Sequence, residues 1–192
     1  MPLAFCALAR SQRKICGTSC QGSESMSGSP VPPRAGGTTY NLLFVCSGNT
    51  CRSPMAEAIA RGLLRERGWM HVDVGSAGTG AVMGSAASPE AVEVAREHGL
   101  ELDSHASQPL TSELIQWADL VLVMGTSHMH VVRELGGGEK VSLVTEFVDG
   151  DGHAQPVADP FGGDREHYRE AFEQIEAAVT GLLDRLEPIL SP

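Results

Sequence analysis

The stretch that most constrains this chain runs from Asn41 to Arg67. It opens with Leu42-Leu-Phe-Val45, an unbroken apolar run of the length a strand buried on both faces shows. It continues into Met55, Ile59, Leu63 and Leu64 at helical spacing, and Gly68 ends the helix. Pro54 falls in the first helical turn, where a missing N–H is tolerated. The loop between, Cys46 to Ser53, therefore joins the end of a strand to the beginning of a helix. The unpaired N–H groups and the positive dipole end of that helix face back onto the loop and favour an anion there.

The loop carries residues suited to such a site. Arg52 supplies a permanent charge whose planar fork can pair two oxygens of a tetrahedral oxyanion, which a lysine cannot do. Cys46 stands at the strand's end, where the same positive groups favour a thiolate and hence a nucleophile. Ser47, Gly48, Asn49, Thr50, Cys51, Arg52 and Ser53 form the candidate phosphate cradle, with Cys46 facing the phosphorus for in-line attack. The competing reading is a buried structural cysteine beside an unrelated helix start. Cys46, five residues, then Arg52-Ser53 resembles the signature of cysteine-dependent phosphatases. The longer string Cys46-Ser-Gly-Asn-Thr-Cys-Arg-Ser-Pro-Met-Ala-Glu57 resembles the low-molecular-weight protein tyrosine phosphatases, including their protein-arginine phosphatase branch.

The rest of the chain alternates strand and helix signals. His71–Val74 reads as a second strand, and Ser76-Ala77-Gly78 as a turn that, by the resemblance, passes beneath the phosphate loop. Ser88-Pro89-Glu90 starts a helix with Ala91, Val92 and Ala95 on one side, and Gly99 stops it. Thr111 caps a short helix through Ile115 and Trp117, Leu120–Met124 is the clearest buried strand, and Val141–Val144 is a fourth. His128 and His130 read as solvated positions on the intervening helix. From Asp164, residues Tyr168, Phe172, Ile175, Val179, Leu182, Leu186 and Leu190 recur at threes and fours, the core stripe of a long helix. Together these predict an α/β three-layer sandwich, a four-stranded parallel doubly wound sheet flanked by helices, with the anion site at the carboxyl ends of the strands. The resemblance covers Asn41 to about Leu190 and implies the same fold.

By the resemblance, Asn49, Ser76 and His105 form a layer behind the loop that holds it in shape, although a lone histidine is more often an ordinary polar residue. Cys51 is either a small buried side chain or, as the resemblance implies, a partner that traps the oxidised nucleophile as a disulfide. Most aspartates before a proline are turn formers, but phosphoryl transfer needs a general acid. Asp159-Pro160 resembles the family's acid motif at the expected place, whereas Asp149 and Asp151 lack that context.

The mechanism so implied has catalytic Cys46, Arg52 and Asp159, a thiophosphate intermediate, and Ser53 stabilising the departing thiolate. It calls for no metal and no other cofactor, because Arg52 and the N–H groups neutralise the phosphate charge. Thr50 with Asp159-Pro-Phe-Gly-Gly163 resembles the arginine-directed branch, making phosphoarginine the first choice of substrate. Phe161 can stack on a ring, which keeps phosphotyrosine as the alternative. An arsenate-reducing oxidoreductase on this fold would need further cysteines to relay a disulfide, and none follows Cys51. A binding module without turnover would be expected to have lost one of the three catalytic residues.

With 192 residues and 42% hydrophobic content, the chain fits one globular domain, residues 40–190, beyond a distinct amino-terminal segment. Residues 1–39 are rich in Ser, Gly, Pro and Thr and lack any period that would bury a face. They read as a disordered, dispensable tail, or as the product of an upstream start codon with Met26 the true start. The tail's four basic residues against Glu24 leave the remaining chain at −13 of the formal −10, a poor partner for nucleic acid. The apolar start, Pro2 to Leu8, has neither the basic flank of a signal peptide nor the length of a membrane span. Three of five cysteines lie in the tail and no spacing suggests a zinc site, so a reduced, cytoplasmic protein is expected. The expected partners are phosphorylated proteins, met by a monomer.

Overall fold

A computed structural model describes residues 40–148 and 154–190. The tail assigned to residues 1–39 and the carboxylates Asp149 and Asp151 lie outside the described residues. The elements, in chain order, are β1 (Tyr40–Cys46), α1 (Arg52–Glu66), β2 (Val72–Gly78), α2 (Pro89–Glu97), α3 (Ser112–Trp117), β3 (Leu120–Val123), α4 (Thr126–Glu134), β4 (Val141–Leu143) and α5 (Arg165–Leu190). A single 3-10 turn, Val144–Phe147, follows β4.

All strand pairs are parallel, in the order β2-β1-β3-β4. Parallel neighbours require crossovers, which α1 and the other helices supply on both faces. Alternation along β1 divides the core. Leu42 and Phe44 point into the layer made with α1, α2 and α5, where Phe172, Ile175, Val179 and Leu182 are fully buried. Leu43 and Val45 point into the opposite layer with Leu114, Ile115 and Val132 of α3 and α4. This is why the run Leu42–Val45 is apolar at every position rather than at every second one. The predicted three-layer sandwich is the observed fold.

β1 lies between β2 and β3, the point at which the chain's winding reverses and at which open α/β sheets present their ligand crevice. Its last residue is Cys46. β2 differs from the sequence expectation: the segment read as a turn, Ser76-Ala77-Gly78, continues the strand, and Gly78 pairs with Cys46. Small side chains are needed there because β2 runs directly under the loop. A Cβ on Gly78 would lie 2.6 Å from Ser47 O and 2.8 Å from Asn49 N. The chain then turns over the loop, with Thr79 N–H donating to Cys46 O and Gly80 N–H to Ser47 O, both at 2.9 Å.

The close approach at Gly78 gives a direct test of how the sheet supports the loop. Gly78→Ala forces backbone against backbone, and is expected to lower unfolding free energy by about 1–3 kcal/mol, the usual range for overpacking. Turnover should fall in the protein that remains folded. Urea unfolding and steady-state rates on the same preparation measure both effects.

Candidate active site

The sulfur of Cys46 sits where β1 hands over to α1. Ser53 Oγ lies 3.0 Å from Cys46 Sγ, and the Asn49 N–H donates to the same sulfur at 3.3 Å. α1 starts at Arg52 with no side-chain cap and no acidic residue in its first turn, so nothing in that turn offsets the positive end facing the loop.

Asn49 sets the loop's shape. It is fully buried and has a φ of 53°, a left-handed conformation that asparagine tolerates better than most residues. Its Nδ2 donates to Ser53 Oγ and to Ser76 Oγ, each at 2.9 Å, and its Oδ1 accepts from the Gln108 N–H at 2.9 Å. Its backbone carbonyl, which can only accept, is bonded by His105 Nε2 at 2.7 Å, so that ring nitrogen carries the hydrogen. Asn49, Ser76 and His105 therefore meet behind the loop. Two further residues join them without any local sequence signal. Gln108 holds Asn49, and Glu57 of α1 accepts from Ser76 Oγ at 2.6 Å while Arg61 grips its other oxygen at 2.7 Å.

Arg52 is buried, and its guanidinium is engaged on one side only. Nη1 donates to Val157 O at 3.0 Å, and Nη2 to Ser47 Oγ at 3.4 Å and to Asp159 Oδ2. Nε is buried with no partner among the described residues. Asp159 reaches the loop from the segment before α5. Its second oxygen accepts from the Phe161 N–H at 3.2 Å, which fixes the carboxylate across the cleft. The cleft holds about 430 Å³ and is lined by Cys46, Ser47, Gly48, Thr50, Cys51 and Arg52, with Asp159, Phe161 and Val131 on its rim. A larger groove of about 520 Å³ beside Arg61, Trp69 and Glu101 lies away from the nucleophile and includes none of the loop.

Cys51 is a buried free thiol, as is Cys46. Its sulfur lies 3.3 Å from Ser88 Oγ, 3.5 Å from Tyr168 Oη and 3.6 Å from Thr50 Oγ1. Burial and the Cys51 contact push the Tyr168 phenol up to about 12, so it remains a hydroxyl donor. The helices α2 and α5 thus touch the underside of the loop. Among the described residues, no group of three His, Cys, Asp or Glu side chains could hold a metal, and no helix is long and apolar enough to cross a membrane.

One sequence expectation is corrected. His128 is 5% exposed rather than solvated, and its Nε2 lies 2.9 Å from Ser47 Oγ. The first turn of α4 carries it inward over Gly125, whose carbonyl accepts from the His128 N–H at 3.1 Å. His130, two residues on, points to solvent beside Glu134.

A cysteine and an arginine gathered around an uncapped helix start, with a carboxylic acid across the cleft, fit the cysteine-dependent phosphatases, which move a phosphoryl group through sulfur. A family model described as low molecular weight phosphotyrosine protein phosphatase matches residues 41–189, and the chain belongs to that family. A protein-arginine-phosphatase of Bacillus subtilis (strain 168) is 40% identical over 149 residues, 77% of this chain and 97% of that protein. Low molecular weight protein-tyrosine phosphatase A of Mycobacterium tuberculosis is 40% identical over 155 residues, 79% and 94%. Among solved structures, a YwlE arginine phosphatase mutant with a phosphorylated active-site serine superimposes with a TM-score of 0.72 at 38% identity, covering 78% of this chain and 97% of that one.

Removing the Asn49 amide strands several buried partners, so Asn49→Ala is expected to lower stability by about 3 kcal/mol, read from urea midpoints. His128 gives a pH signature. Burial, then the Arg52 charge, hold it below its ordinary 6.5, against a smaller opposing pull from Asp159. The unfolded chain therefore takes up this proton first. Its contribution is complete above pH 6.5 and is lost as pH falls below that value. Melting temperatures should decline as pH falls below 6.5, and His128→Gln should flatten that slope.

Proposed function

We propose that the protein is a cytoplasmic, monomeric protein-arginine phosphatase that uses Cys46 as nucleophile, Arg52 as phosphate clamp and Asp159 as general acid and base. The observation that carries this reading is the state of Arg52. Its Nε is buried with no partner among the described residues while Nη2 bonds Ser47 and Asp159, so this edge of the fork can pair two oxygens of a phosphoryl group once the Asp159 carboxylate moves away.

The steps follow from that geometry. The phosphoryl dianion docks on the loop N–H groups and takes the Nε and Nη2 edge of Arg52, displacing the Asp159 carboxylate. Asp159, released from its cation, takes up a proton from solvent water and serves as the acid. The Cys46 thiolate attacks phosphorus, a sulfur–phosphorus bond forms, and the bond from phosphorus to the guanidine nitrogen breaks. That nitrogen leaves with the electron pair and takes the proton from Asp159. A water molecule then loses a proton to Asp159 and attacks phosphorus. The sulfur–phosphorus bond breaks, inorganic phosphate leaves, and Cys46 regains its thiolate, which the Ser53 hydroxyl receives at 3.0 Å.

Arginine-bound phosphate is favoured by Thr50, which lines the cleft beside the nucleophile, and by Phe161-Gly162-Gly163, where two glycines rather than further aromatic rings follow the phenylalanine. The similarity to arginine phosphatases supports the same choice. Phosphotyrosine is the second reading. Phe161 is 75% exposed at the rim and offers a flat apolar face to a ring, and a tyrosine phosphatase is equally similar in sequence. The arsenate-reductase reading has no support, because no cysteine follows Cys51.

Purified protein should hydrolyse a phosphoarginine peptide with higher kcat/KM than the matching phosphotyrosine peptide. Thr50→Ile is expected to shift that ratio toward tyrosine by roughly tenfold, within the range for one changed pocket group. Equal ratios in both proteins would favour the tyrosine reading or a shared one. Cys46→Ser should remove turnover of either peptide, and residual activity there would reject the mechanism.

A further inference from the structure

Ser47 is the one side chain of the loop Cys46–Ser53 that is exposed, and it lines the cleft. Two groups converge on its oxygen: Arg52 Nη2 at 3.4 Å and His128 Nε2 at 2.9 Å. A guanidinium has only hydrogens to give, so Ser47 Oγ accepts from Arg52. The direction of the second bond depends on which nitrogen of His128 carries the hydrogen. Nδ1 is buried with no partner among the described residues. Were the hydrogen on Nδ1, a buried N–H would be orphaned; on Nε2, only a lone pair is left bare. Orphaned buried N–H groups are the rarer and costlier defect. Nε2 therefore donates, and both lone pairs of Ser47 are filled.

The hydroxyl hydrogen of Ser47 then has one direction left, into the cleft. We propose that Ser47 donates a hydrogen bond to the phosphoryl group in the transition state, and that His128 is the positioning residue that fixes Ser47 in that orientation. This rests on the phosphate-loop reading above, and adds a side-chain donor to the clamp of N–H groups and Arg52. The depressed proton affinity of His128 agrees with a neutral ring in this place. The charged groups acting on the ring are Arg52 of α1 and Asp159 from the segment before α5; Ser47 from the loop is neutral.

The test uses the full chain with nitrophenyl phosphate as substrate and orthovanadate as a transition-state mimic. Loss of one hydrogen bond to a charged oxygen corresponds to a fall of roughly 10- to 100-fold. Ser47→Ala should lower kcat by that factor with little change in KM, weaken vanadate inhibition in parallel, and lower the urea midpoint only by the cost of leaving the His128 Nε2–H without its acceptor. Ser47→Thr, which keeps the hydroxyl, should retain turnover. His128→Leu should lower kcat in the wild-type background and have no further effect in Ser47→Ala. His128→Gln, whose amide N–H can replace Nε2–H, should restore the rate. Ser47→Ala with wild-type kcat and vanadate affinity, or additive losses in the double variant, would overturn this inference while Cys46→Ser remained inactive. Turnover by Cys46→Ser would instead overturn the phosphate-loop reading, and this inference with it.

Discussion

The site depends on one buried amide held in a left-handed backbone. A non-glycine residue at φ 53° is strained by something on the order of 1–3 kcal/mol, and it persists only where surrounding contacts over-determine it. Asn49 has four such contacts, from Gln108, His105, Ser53 and Ser76. Each contributes about 0.5–1.5 kcal/mol net, so the set outweighs the strain. The bonds also have a direction. Gln108 N–H can only donate, which turns the amide so that both Nδ2 hydrogens face the two serine hydroxyls. Ser76 passes its own hydrogen to the Glu57 carboxylate at 2.6 Å. Ser53, already receiving from Asn49, keeps its hydrogen for Cys46 Sγ at 3.0 Å or Ala77 O at 3.3 Å. Once the sulfur is an anion, it is the stronger acceptor. The Glu57 carboxylate of α1 thereby helps, through Ser76 and Asn49, to orient the Ser53 hydroxyl beside Cys46.

The fold limits the chain entropy this arrangement costs because regular elements carry much of it, while Asn49, His105 and Gln108 come from the loops between them. Cys46 ends β1, Ser76 lies on β2, Glu57 and Arg52 lie on α1, and His128 lies on α4. The strand order β2-β1-β3-β4 brings them together at the carboxyl end of the central strand. Asp159 also arrives on irregular backbone, and in the proposed mechanism it moves from Arg52 to the leaving atom. Its half-exposed side chain suits that exchange, whereas Arg52 is held from behind by Val157 O. Rigidity therefore belongs to the groups that bind charge, and freedom to the group that carries the proton.

What could be read in the sequence divides along the same line. β1, the loop and α1 were legible because strand, anion site and helix are contiguous, and their chemistry is local. Asp159 was legible through Pro160 and its place before the last helix. The end of β2 was misread because Ser76-Ala77-Gly78 has turn-like composition, while its real constraint is the Ser47 and Asn49 backbone lying across it. Glu57 looks like any charged residue on an amphipathic helix, and its bond to Ser76 joins residues 19 apart across a crossover. His128 is further still, 81 residues from Ser47, and a helix in which Val132 and His128 alone are buried gives little period to read. Contacts made across the parallel sheet leave no trace in local composition.

Floor and rim of the cleft are different materials. The floor consists of Cys46, Asn49, Cys51, Arg52 and Ser53, all buried, with Ser88 and Tyr168 closing around the Cys51 sulfur from beneath. Substitution there disturbs an interior that is close-packed and hydrogen-bonded, so stability and turnover must change together. Nearer solvent lie Ser47 and Thr50 of the lining and Phe161 of the rim, with Val82 and Met83 exposed on the loop beyond β2. Few contacts tie these side chains to the interior: Ser47 Oγ reaches Arg52 and His128, Thr50 Oγ1 reaches the Cys51 sulfur, and Phe161 is exposed. A buried floor that handles only phosphorus, sulfur and charge is compatible with either leaving group. Relatives of equal similarity to this chain bear different substrate names, so membership of the family does not by itself fix the leaving group.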